Sequence, residues 1–375
     1  DVMRSSTESN LLNPRPRLSL EQRLTRAWQR DSLWLKLLLP LSWVFAALSG
    51  MRRRYLQARH QGDLYAAPVI VVGNISVGGS GKTPLIVALI AALKQRGYKP
   101  GVVSRGYGGK PAYYPLAVTS QTDVSQSGDE PLLIAQLTGC PVVVDLNRAA
   151  AVDYLLENYA CDVELSDDGL QHYRLHRDIE IVVVDCQRGL GNRRRLPAGP
   201  LREGAGRLSQ ADYVILNMGA NSSTKAGSIE AQLGYFADSF DVMAIAARQF
   251  TQLCSGESVP IEVWLQAREG TPAHAVAAIG NPQRFAETLR ALGLQVDLRS
   301  FDDHQWLTDA ELCFADDWPV IITAKDAVKL TASGSDQLSE NIWVLDIEAQ
   351  LPQDFVERLA IQIDAVAAGI EIAQV

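Results

Sequence analysis

The residues of this chain best suited to chemistry lie in a glycine-rich segment, NISVGGSGKT, which ends at Lys82 and Thr83. Closely spaced glycines allow a tight turn whose backbone N–H groups point inward, and a helix that follows adds its positive dipole end. Such a turn binds phosphate, with the lysine on the β- and γ-phosphates of a nucleotide and the threonine hydroxyl on Mg²⁺. The sequence therefore predicts a nucleotide-binding loop formed by Ser76, Val77, Gly78, Gly79, Ser80, Gly81, Lys82 and Thr83.

The sequence on either side of this loop supports the prediction. Residues 69–72, VIVV, are typical of a buried strand, and residues 84–93 form an apolar segment of helical length. A strand before the loop and a helix after it are the context that a phosphate-binding loop requires. The strict pattern G-x-x-x-x-G-K-[ST] is not met, because Ser76 occupies the position of its first glycine. A glycine-rich turn with an incidental Lys–Thr pair is the alternative.

Paired carboxylates occur at two further places. Asp129 and Glu130 lie at a predicted loop-to-helix junction, where an acidic residue often serves as a cap. Beside a nucleotide they suggest chemistry, because phosphoryl transfer to a hydroxyl needs one carboxylate near the attacking oxygen and others near the metal. Asp167 and Asp168 follow a predicted strand that ends near residue 166, a position that suits Mg²⁺ bound directly or through water. An ordinary Asp-Gly turn is the alternative there.

Cationic residues form a third group. Arg105 follows a predicted strand in SRGYGG, and its guanidinium could hold a phosphate. His304 lies beside two aspartates in DDH, and such neighbours can raise the pKa of an imidazole so that it relays protons. A surface histidine is the alternative. Five arginines near the segment LPAGP either receive an anionic acceptor or form solvated surface: Arg188, Arg193, Arg194, Arg195 and Arg202.

Alternating strand and helix signals position these residues. The first set of predicted strands covers residues 69–72, 101–103, 141–144, 179–184 and 213–216. This order is typical of a doubly wound parallel sheet, in which ligands bind beyond the carboxyl ends of the strands. A second, smaller set covers residues 275–279, 295–300, 320–323 and 342–345, and residues 234–258 are predicted to connect the two sets. We therefore expect an N-terminal segment, a catalytic domain and a smaller α/β domain at residues 1–62, 63–245 and 246–375.

The N-terminal segment is expected to contact a membrane. Residues 33–50, LWLKLLLPLSWVFAALSG, are the most apolar stretch, and arginines flank them on both sides. The stretch is shorter than the roughly 20 apolar residues of a spanning helix and contains Lys36 and Pro40. We interpret it as amphipathic helices in one leaflet, with Trp34 and Trp43 at the interface and the arginines on anionic headgroups. A buried helical hairpin is the alternative.

Composition limits the class of protein. With 375 residues and 47% hydrophobic content, the chain can form two ordinary domains and is not disordered. Residues 1–60 contain 11 Lys/Arg and 4 Asp/Glu, a net charge of +7. Since the whole chain has a net charge of −8, the remaining residues have a net charge of −15. This basic head favours an anionic surface as partner. Five scattered cysteines without C-x-x-C spacing indicate a reducing compartment with neither disulfides nor a zinc site.

The motifs together resemble a known family. GNISVGGSGKTP, SRGYGG, SGDEP, SDDGLQHYRLHRDIEI, LPAGPLRE, IGNPQRF, DDH and KDAVK, in this order and spacing, are similar to those of the tetraacyldisaccharide 4'-kinases, the lipid A kinases of Gram-negative bacteria. The resemblance covers roughly residues 30–350. It implies an α/β, P-loop NTPase-like fold with a doubly wound parallel sheet, a second, smaller α/β domain and an N-terminal amphipathic helical membrane anchor.

The resemblance also implies an activity and a location. Such an enzyme transfers the γ-phosphate of ATP, with Mg²⁺, to the 4'-hydroxyl of a membrane-embedded, tetraacylated glucosamine disaccharide 1-phosphate. It is a peripheral protein on the cytoplasmic face of the inner membrane, in contact with anionic inner-leaflet lipid. We expect a monomer without a nucleic-acid partner.

Roles follow for individual residues from the same resemblance. Asp129 would be the catalytic base, His304 would pair with it across a cleft, and Lys82 would hold phosphate. The metal or its waters would be held by Thr83, Glu130, Asp167 and Asp168. The residues expected to line the site are Arg105, Tyr107, Arg148, Gln171, His172 and Arg202.

Three residues depart from the family pattern. Ala324 stands where the family has a glutamate, Arg193 stands where it has a glycine, and Glu164 interrupts an otherwise apolar strand. None of the three lies in the phosphate loop or at the expected base. They affect the expectations for acceptor handling near Arg193 and for the surface near Ala324.

Two other classes are less consistent with the sequence. A guanine-nucleotide switch needs N-K-x-D after a late strand, and LNMG at residues 216–219 does not supply it. The partitioning ATPases have a lysine where this chain has Val77. A catalytically silent lipid-binding scaffold would not need Lys82, Asp129 and Asp168 together.

Overall fold

The computed structural model describes residues 20–60, 64–219, 233–234, 236, 239–332 and 339–369. The N-terminal part, here called the head, contains helix α1 (Leu20–Gln29), a 3-10 turn (Leu33–Leu38) and helix α2 (Leu39–Arg59). Pro40 lies in the first turn of α2, where a missing N–H costs no hydrogen bond. Residues 1–19 of the predicted N-terminal segment lie outside the described residues.

The P-loop lobe follows the head. Its strands are β1 (Val69–Gly73), β2 (Pro100–Ser104), β3 (Leu116–Val118), β4 (Val142–Val144), β5 (Val163–Asp167), β6 (Ile179–Asp185) and β7 (Tyr213–Gly219). Its helices are α3 (Lys82–Gln95), α4 (Val124–Ser127), α5 (Asp129–Thr138) and α6 (Arg148–Asn158), with a 3-10 turn at Ala205–Gln210.

The second lobe contains the rest of the described chain. Its strands are β8 (Asp241–Gln252), β9 (Ser258–Pro260), β10 (Ala273–Ala277), β11 (Val296–Ser300), β12 (Val320–Thr323) and β13 (Ile342–Gln350). Its helices are α7 (Ile261–Gln266), α8 (Pro282–Ala291), α9 (Asp309–Leu312), α10 (Ala324–Ala332) and α11 (Gln353–Ala367).

The thirteen strands of the described residues belong to one sheet, in the order β11-β10-β12-β13-β8-β7-β6-β1-β5-β2-β4-β3, with β9 paired to β8. Most neighbours are parallel; β3 with β4, β8 with β13 and β8 with β9 are antiparallel. Strand β1 lies between β5 and β6 and is buried along its whole length, which explains its continuous β-branched sequence. The phosphate loop leaves β1 beside the carboxyl ends of β5 and β6, as predicted for a doubly wound sheet.

Strand β8 is the main difference from the sequence-based expectation. Residues 234–258 were expected to be a connection, but Asp241–Gln252 form a strand that pairs with β7 on one side and β13 on the other. The expected boundary between residues 245 and 246 falls inside this strand.

Helix α11 crosses the same expected boundary. Although it lies within residues 246–375, its Phe355 packs edge-on against Tyr213 of the P-loop lobe, with ring centroids 5.2 Å apart. The Tyr98 hydroxyl also donates to the Asp364 carboxylate at 2.6 Å. The division of the chain into domains therefore stays a prediction, because sheet and core are continuous across it.

The head packs on the P-loop lobe through a small set of contacts. Trp28 is buried and its Nε1 donates to the Pro197 carbonyl at 3.1 Å, and the Ser42 hydroxyl donates to the Arg195 carbonyl at 2.9 Å. The opposite surface of the head is exposed and apolar, which does not fit the buried-hairpin alternative. By length and composition alone, Leu33–Arg59 could cross a membrane. The exposed apolar side chains are Leu33, Trp34, Leu37, Leu41, Trp43, Val44, Leu48 and Met51.

Candidate active site

The backbone of the phosphate loop accepts hydrogen bonds from two asparagine side chains at strand ends. Asn74 Nδ2 donates to the Gly78 carbonyl at 3.3 Å, and Asn217 Nδ2 from β7 donates to the Ser80 carbonyl at 2.8 Å. Gly81 precedes α3 with φ 92°, and a Cβ there would lie 2.1 Å from the Asn217 amide nitrogen. Only glycine suits this position, because it is both left-handed and crowded.

Ser76 occupies the position at which the strict phosphate-loop pattern has a glycine. It forms an isolated antiparallel bridge with Leu201, and the Val77 N–H donates to the Pro200 carbonyl at 2.9 Å. Ser76 has no positive φ. The LPAGPLRE segment therefore lines this side of the loop, and the missing glycine is not required by the backbone.

Lys82, Asp168 and Arg202 form a charged chain beside the loop. The Lys82 ammonium lies 3.3 Å from Asp168 Oδ1, and the Arg202 guanidinium lies 3.2 Å from Oδ2. Burial opposes ionisation of Asp168, but the charges of Lys82 and Arg202 outweigh it and lower its pKa to about 2. Asp168 is therefore an anion next to Lys82 at the C-terminal end of the loop.

Asp167 is fully buried at the end of β5. Its Oδ2 accepts from the Ser104 hydroxyl at 3.3 Å, whereas Oδ1 has no hydrogen-bond partner among the described residues. Burial and the nearby charge of Glu130 raise its pKa to about 7. A buried carboxylate oxygen without a partner, with further acids near it, suits a hard cation with oxygen ligands.

Three acids meet one lysine and one histidine where the two lobes touch. His304 Nδ1 lies 3.0 Å from Asp129 Oδ2, although the two residues are 175 positions apart. Lys325 lies 3.1 Å from Glu130, 3.5 Å from Asp303 and 3.8 Å from Asp129. Asp129 is 5% exposed at the start of α5, whereas the other members of the cluster are half-buried.

The pKa values in this cluster shift towards the charged forms. Burial opposes ionisation of Asp129, but the His304 hydrogen bond and the Lys325 charge lower its pKa. Burial lowers the pKa of His304, but its hydrogen bond to Asp129 outweighs this and raises it. Burial also opposes the charge of Lys325, yet Glu130 and Asp129 raise its pKa. The cluster is therefore a set of mutually stabilised charges.

Of the residues expected to line the site, Gln171 and Tyr107 contact other site residues, whereas Arg105 and His172 are described by their exposure and charge. Gln171 lies at the site, since its Oε1 accepts from Arg202 at 3.3 Å, and the Tyr107 ring lies 4.9 Å from the His304 ring. Arg105 is exposed, and its charge acts on its neighbours. His172 is largely neutral, because burial and the charges of Arg148 and Arg105 lower its pKa to about 4.

Arg148 has a supporting position instead. It is only 2% exposed, and its guanidinium donates to the carbonyl groups of Asp167 at 2.9 Å and Asp145 at 3.2 Å. These bonds fix the backbone at the carboxyl ends of two strands. Burial lowers its pKa to about 10, so it remains a cation at neutral pH.

The arginines near LPAGP mostly have protein partners. Arg194 pairs with Asp31 of the head at 2.7 Å, Arg195 donates to the Ala46 carbonyl at 3.4 Å, and Arg188 donates to the Gly280 carbonyl. These contacts dock the head and the second lobe, and binding of an anionic acceptor by this group of arginines stays a prediction. Arg202 alone of the five contacts Asp168 among the described residues.

The structure shows why a glycine would suit position 193, and it places the other two departures from the family pattern. Arg193 has φ 60°, a left-handed conformation in which a glycine costs less, and its side chain is exposed. Glu164 is fully buried in β5, and both carboxylate oxygens lack a hydrogen-bond partner in the part of the chain that is described. Ala324 starts α10 and packs between the two lobes. Nothing in the structure explains why alanine is preferred there.

Three polar residues in and around the site had no predicted role. Lys325 and Asn217 both follow or end a strand on the same sheet edge as the acids, and that position was the available signal. Glu203 accepts hydrogen bonds from Gln171 and Tyr173 behind the phosphate loop. The contacts of Glu203 depend on how the loops pack, and the spacing of apolar residues in the sequence does not reveal loop packing.

The fold and the site together define the class of protein. A glycine-rich loop between a central parallel strand and a helix, with acids at neighbouring strand ends, is the arrangement of a P-loop phosphotransferase.

Comparisons with known proteins give the family. The family model described as tetraacyldisaccharide-1-P 4'-kinase matches residues 34–364. Tetraacyldisaccharide 4'-kinase from Pseudomonas fluorescens is 44% identical over 90% of this chain and 95% of its own length. The enzyme of the same name from Alcanivorax borkumensis is 43% identical over 91% of this chain and 97% of its own length. A crystal structure of LpxK from Aquifex aeolicus in complex with ATP is 28% identical, with a TM-score of 0.68, and covers 88% of this chain and 99% of that one.

The chain belongs to the tetraacyldisaccharide 4'-kinase family. It is a kinase of lipid A biosynthesis, and its nucleotide is ATP. The predicted family, fold class and activity are confirmed. Together with the family, the exposed apolar helix of the head indicates membrane association.

Proposed function

We propose that Asp129 is the general base that accepts the proton of the acceptor's 4'-hydroxyl. The observation that carries this proposal is the 3.0 Å contact between Asp129 and His304. A sugar hydroxyl is a poor nucleophile, so a base within hydrogen-bond reach increases the rate. Asp129 is a weak base by itself. Paired with His304, it can share a proton, and the apparent pKa then belongs to the pair.

The phosphate loop holds ATP in this proposal. Residues 76–83 bind the phosphates through backbone N–H groups, and Lys82 is the only lysine of the loop. Lys82 is bound to Asp168 in the structure, so its ammonium already lies at the foot of the loop. Arg202 supports the same carboxylate from the other side. Preorganised charges of this kind stabilise a transferring phosphoryl group.

Mg²⁺ fits the residues at this place. The described residues hold no cluster of three or more His, Cys, Asp or Glu that would bind a metal by protein ligands alone. Mg²⁺ in kinases needs only one or two carboxylates besides phosphate and water, and the buried Asp167 has an oxygen without a partner. Thr83, Asp167 and Asp168 would hold it, with Glu130 nearby. When bound, it neutralises charge on the phosphates.

The head would bring the site to its acceptor. Its outer surface is apolar, with Leu37 82% and Trp43 68% exposed, and arginines lie at both ends of the apolar stretch. This surface suits peripheral binding to the cytoplasmic face of the inner membrane, where both ATP and anionic lipid are present. The acylated disaccharide 1-phosphate lies in the same leaflet, next to the site.

A set of variants tests the base. Asp129→Ala should lower lipid phosphorylation by about 10² to 10⁴-fold, His304→Ala should lower it less, and the double variant should be scarcely worse than Asp129→Ala. ATP affinity should change little in all three. Asp302→Ala is the matched control, because this exposed neighbour lies outside the cluster. Normal turnover in Asp129→Ala would remove the base assignment, and fully additive losses would break the pair. ATP turnover that is independent of the acceptor would indicate a nucleotide switch.

A further inference from the structure

Glu203 is the centre of a polar network behind the phosphate loop. Its carboxylate is only 11% exposed. It accepts hydrogen bonds from Gln171 Nε2 at 2.8 Å and from the Tyr173 hydroxyl, and Arg207 lies 3.6 Å away. A buried carboxylate with this many donors has one well-defined position.

Gln171 links this network to the nucleotide site in two directions. Its Nε2 also donates to the carbonyl of Asn74 at 3.1 Å, and Asn74 in turn holds Gly78. Its Oε1 accepts from Arg202 at 3.3 Å, and Arg202 pairs with Asp168. The position of one amide therefore affects both the backbone of the loop and the carboxylate that holds Lys82.

The head contacts the same network from the other side. Arg53 of α2 lies 3.6 Å from Glu203 Oε2, donates to Gln210 at 2.7 Å, and lies over the Tyr173 ring at 5.3 Å. Arg52 donates to the Gln171 carbonyl at 3.4 Å. Both arginines belong to the helix whose other side is exposed and apolar. A shift of the helix would therefore change the contacts of Glu203 and Gln171.

We propose that Glu203 is a positioning residue that couples the seating of the head helix to the geometry of the phosphate loop. Arg53 fixes one side of the Glu203 carboxylate, and Glu203 orients Gln171, which positions Asn74 and Arg202. ATP should then bind best when the head is docked. The inference rests on the proposed nucleotide site but requires neither the proposed base nor an acceptor.

The test is ATP affinity, measured with Mg²⁺ and without acceptor lipid, for the full chain in detergent micelles. Arg53→Ala should weaken ATP binding about threefold, the size expected for a partly exposed ion pair. Glu203→Gln should weaken it at least as much. In the Glu203→Gln background, Arg53→Ala should have no further effect on ATP affinity, because the Arg53–Glu203 ion pair is already lost and the contacts of Arg53 with Gln210 and the Tyr173 ring do not reach Gln171. Arg53→Lys should recover most of the affinity.

Asp31→Asn is the matched control. It breaks a different ion pair between head and body, Asp31 with Arg194 at 2.7 Å, which does not lead to Gln171. ATP affinity should stay within about 1.5-fold of the wild type, since this pair is also a surface contact of small energy. The thermal midpoint of each variant reports general loosening of the head. If Glu203→Gln does not fold, the comparison of Arg53→Ala with Asp31→Asn decides alone.

Three results would overturn the inference. They are unchanged ATP affinity in Arg53→Ala, additive losses for Arg53→Ala and Glu203→Gln, and an equal loss in Asp31→Asn. Loss of lipid phosphorylation with normal ATP affinity would count against it as well, because it would place the effect of Arg53 on the acceptor. Failure of the kinase mechanism itself would appear separately, in Asp129→Ala.

Discussion

Individual side chains of the site act mainly by neutralising one another. Lys82 and Arg202 surround Asp168, and Lys325 contacts Asp129 and Glu130. Asp129, Glu130 and Asp168 thus each have a cation within reach, whereas one oxygen of Asp167 lacks a hydrogen-bond partner among the described residues. Because an unpaired buried charge is costly, this oxygen is the position best suited to a cation that arrives with the nucleotide.

Glu164 is a buried acid without such a partner, and it makes stability depend on pH. Burial and the charge of Asp162 raise its pKa from 4.5 to about 8. Between about pH 4.5 and pH 8, Glu164 is protonated in the folded state and ionised in the unfolded state. Its contribution to stability is therefore fully present below pH 4.5 and is lost as the pH rises towards 8. The free energy of unfolding should fall by about 1.4 kcal/mol per pH unit in this window.

Urea unfolding from pH 5 to 9 measures this slope. Glu164→Gln cannot titrate, so its stability should decline less steeply than that of the wild type between roughly pH 5 and 8. Glu157→Gln, an exposed change on the adjacent helix, should keep the wild-type slope. Parallel curves for Glu164→Gln and the wild type would mean that Glu164 is ionised in the folded protein.

The acids were predictable from the sequence, but their partners were not. Asp167 and Asp168 were found because polar residues at strand ends share one edge of a parallel sheet, and Asp129 because an acid at a loop-to-helix junction beside a nucleotide suits phosphoryl transfer. The contact of Asp129 with His304 followed only from the family resemblance, since it joins residues 175 positions apart. Lys325 had no predicted role, because its position depends on how closely α10 approaches α5.

Among the elements, helix α2 has two faces with different functions. Ser42 and Arg53 contact the body of the protein. Trp43 and Leu48 lie on the exposed side of α2, and Leu37 is exposed in the 3-10 turn before it. The sequence predicted the apolar segment and its flanking arginines. It did not predict which face docks, because that depends on the LPAGP segment, whose contacts are irregular.

The exposed face should bind the membrane. Trp43→Glu combined with Leu48→Glu places two charges on it, and sedimentation with anionic vesicles should fall by about tenfold or more, because apolar burial is lost and anionic headgroups repel the new charges. High salt should weaken binding of the wild type without abolishing it. Ile361→Glu is the control, since Ile361 is 67% exposed on α11 of the body. Normal sedimentation of the double variant would place the anchor elsewhere.

In the whole molecule, the two lobes share one sheet and part of one core. Strand β8 joins β7 to β13, and Phe355 of α11 is fully buried in the core that contains Ile70 and Leu89 of the P-loop lobe. The sequence predicted most strands of the two sets, but not β3, β8 and β9. It did not indicate their continuity, because a strand in the middle of a sheet and a linker next to a domain can have similar composition, and the return of α11 is a long-range contact.

This continuity predicts that the two lobes unfold together. Phe355→Ala in the shared core and Trp264→Ala in the second lobe should each lower the free energy of unfolding by about 3 to 5 kcal/mol, the usual cost of a large cavity. Both side chains are fully buried, so they are matched in environment. In calorimetry, each variant should show one unfolding transition with a lowered midpoint temperature. ATP with Mg²⁺ should raise the midpoint temperature of that single transition. Independent lobes would give two transitions, of which Trp264→Ala moves one while ATP stabilises only the other. That pattern would restore the division of the chain near residue 245, and the continuous sheet would then not enforce cooperative unfolding.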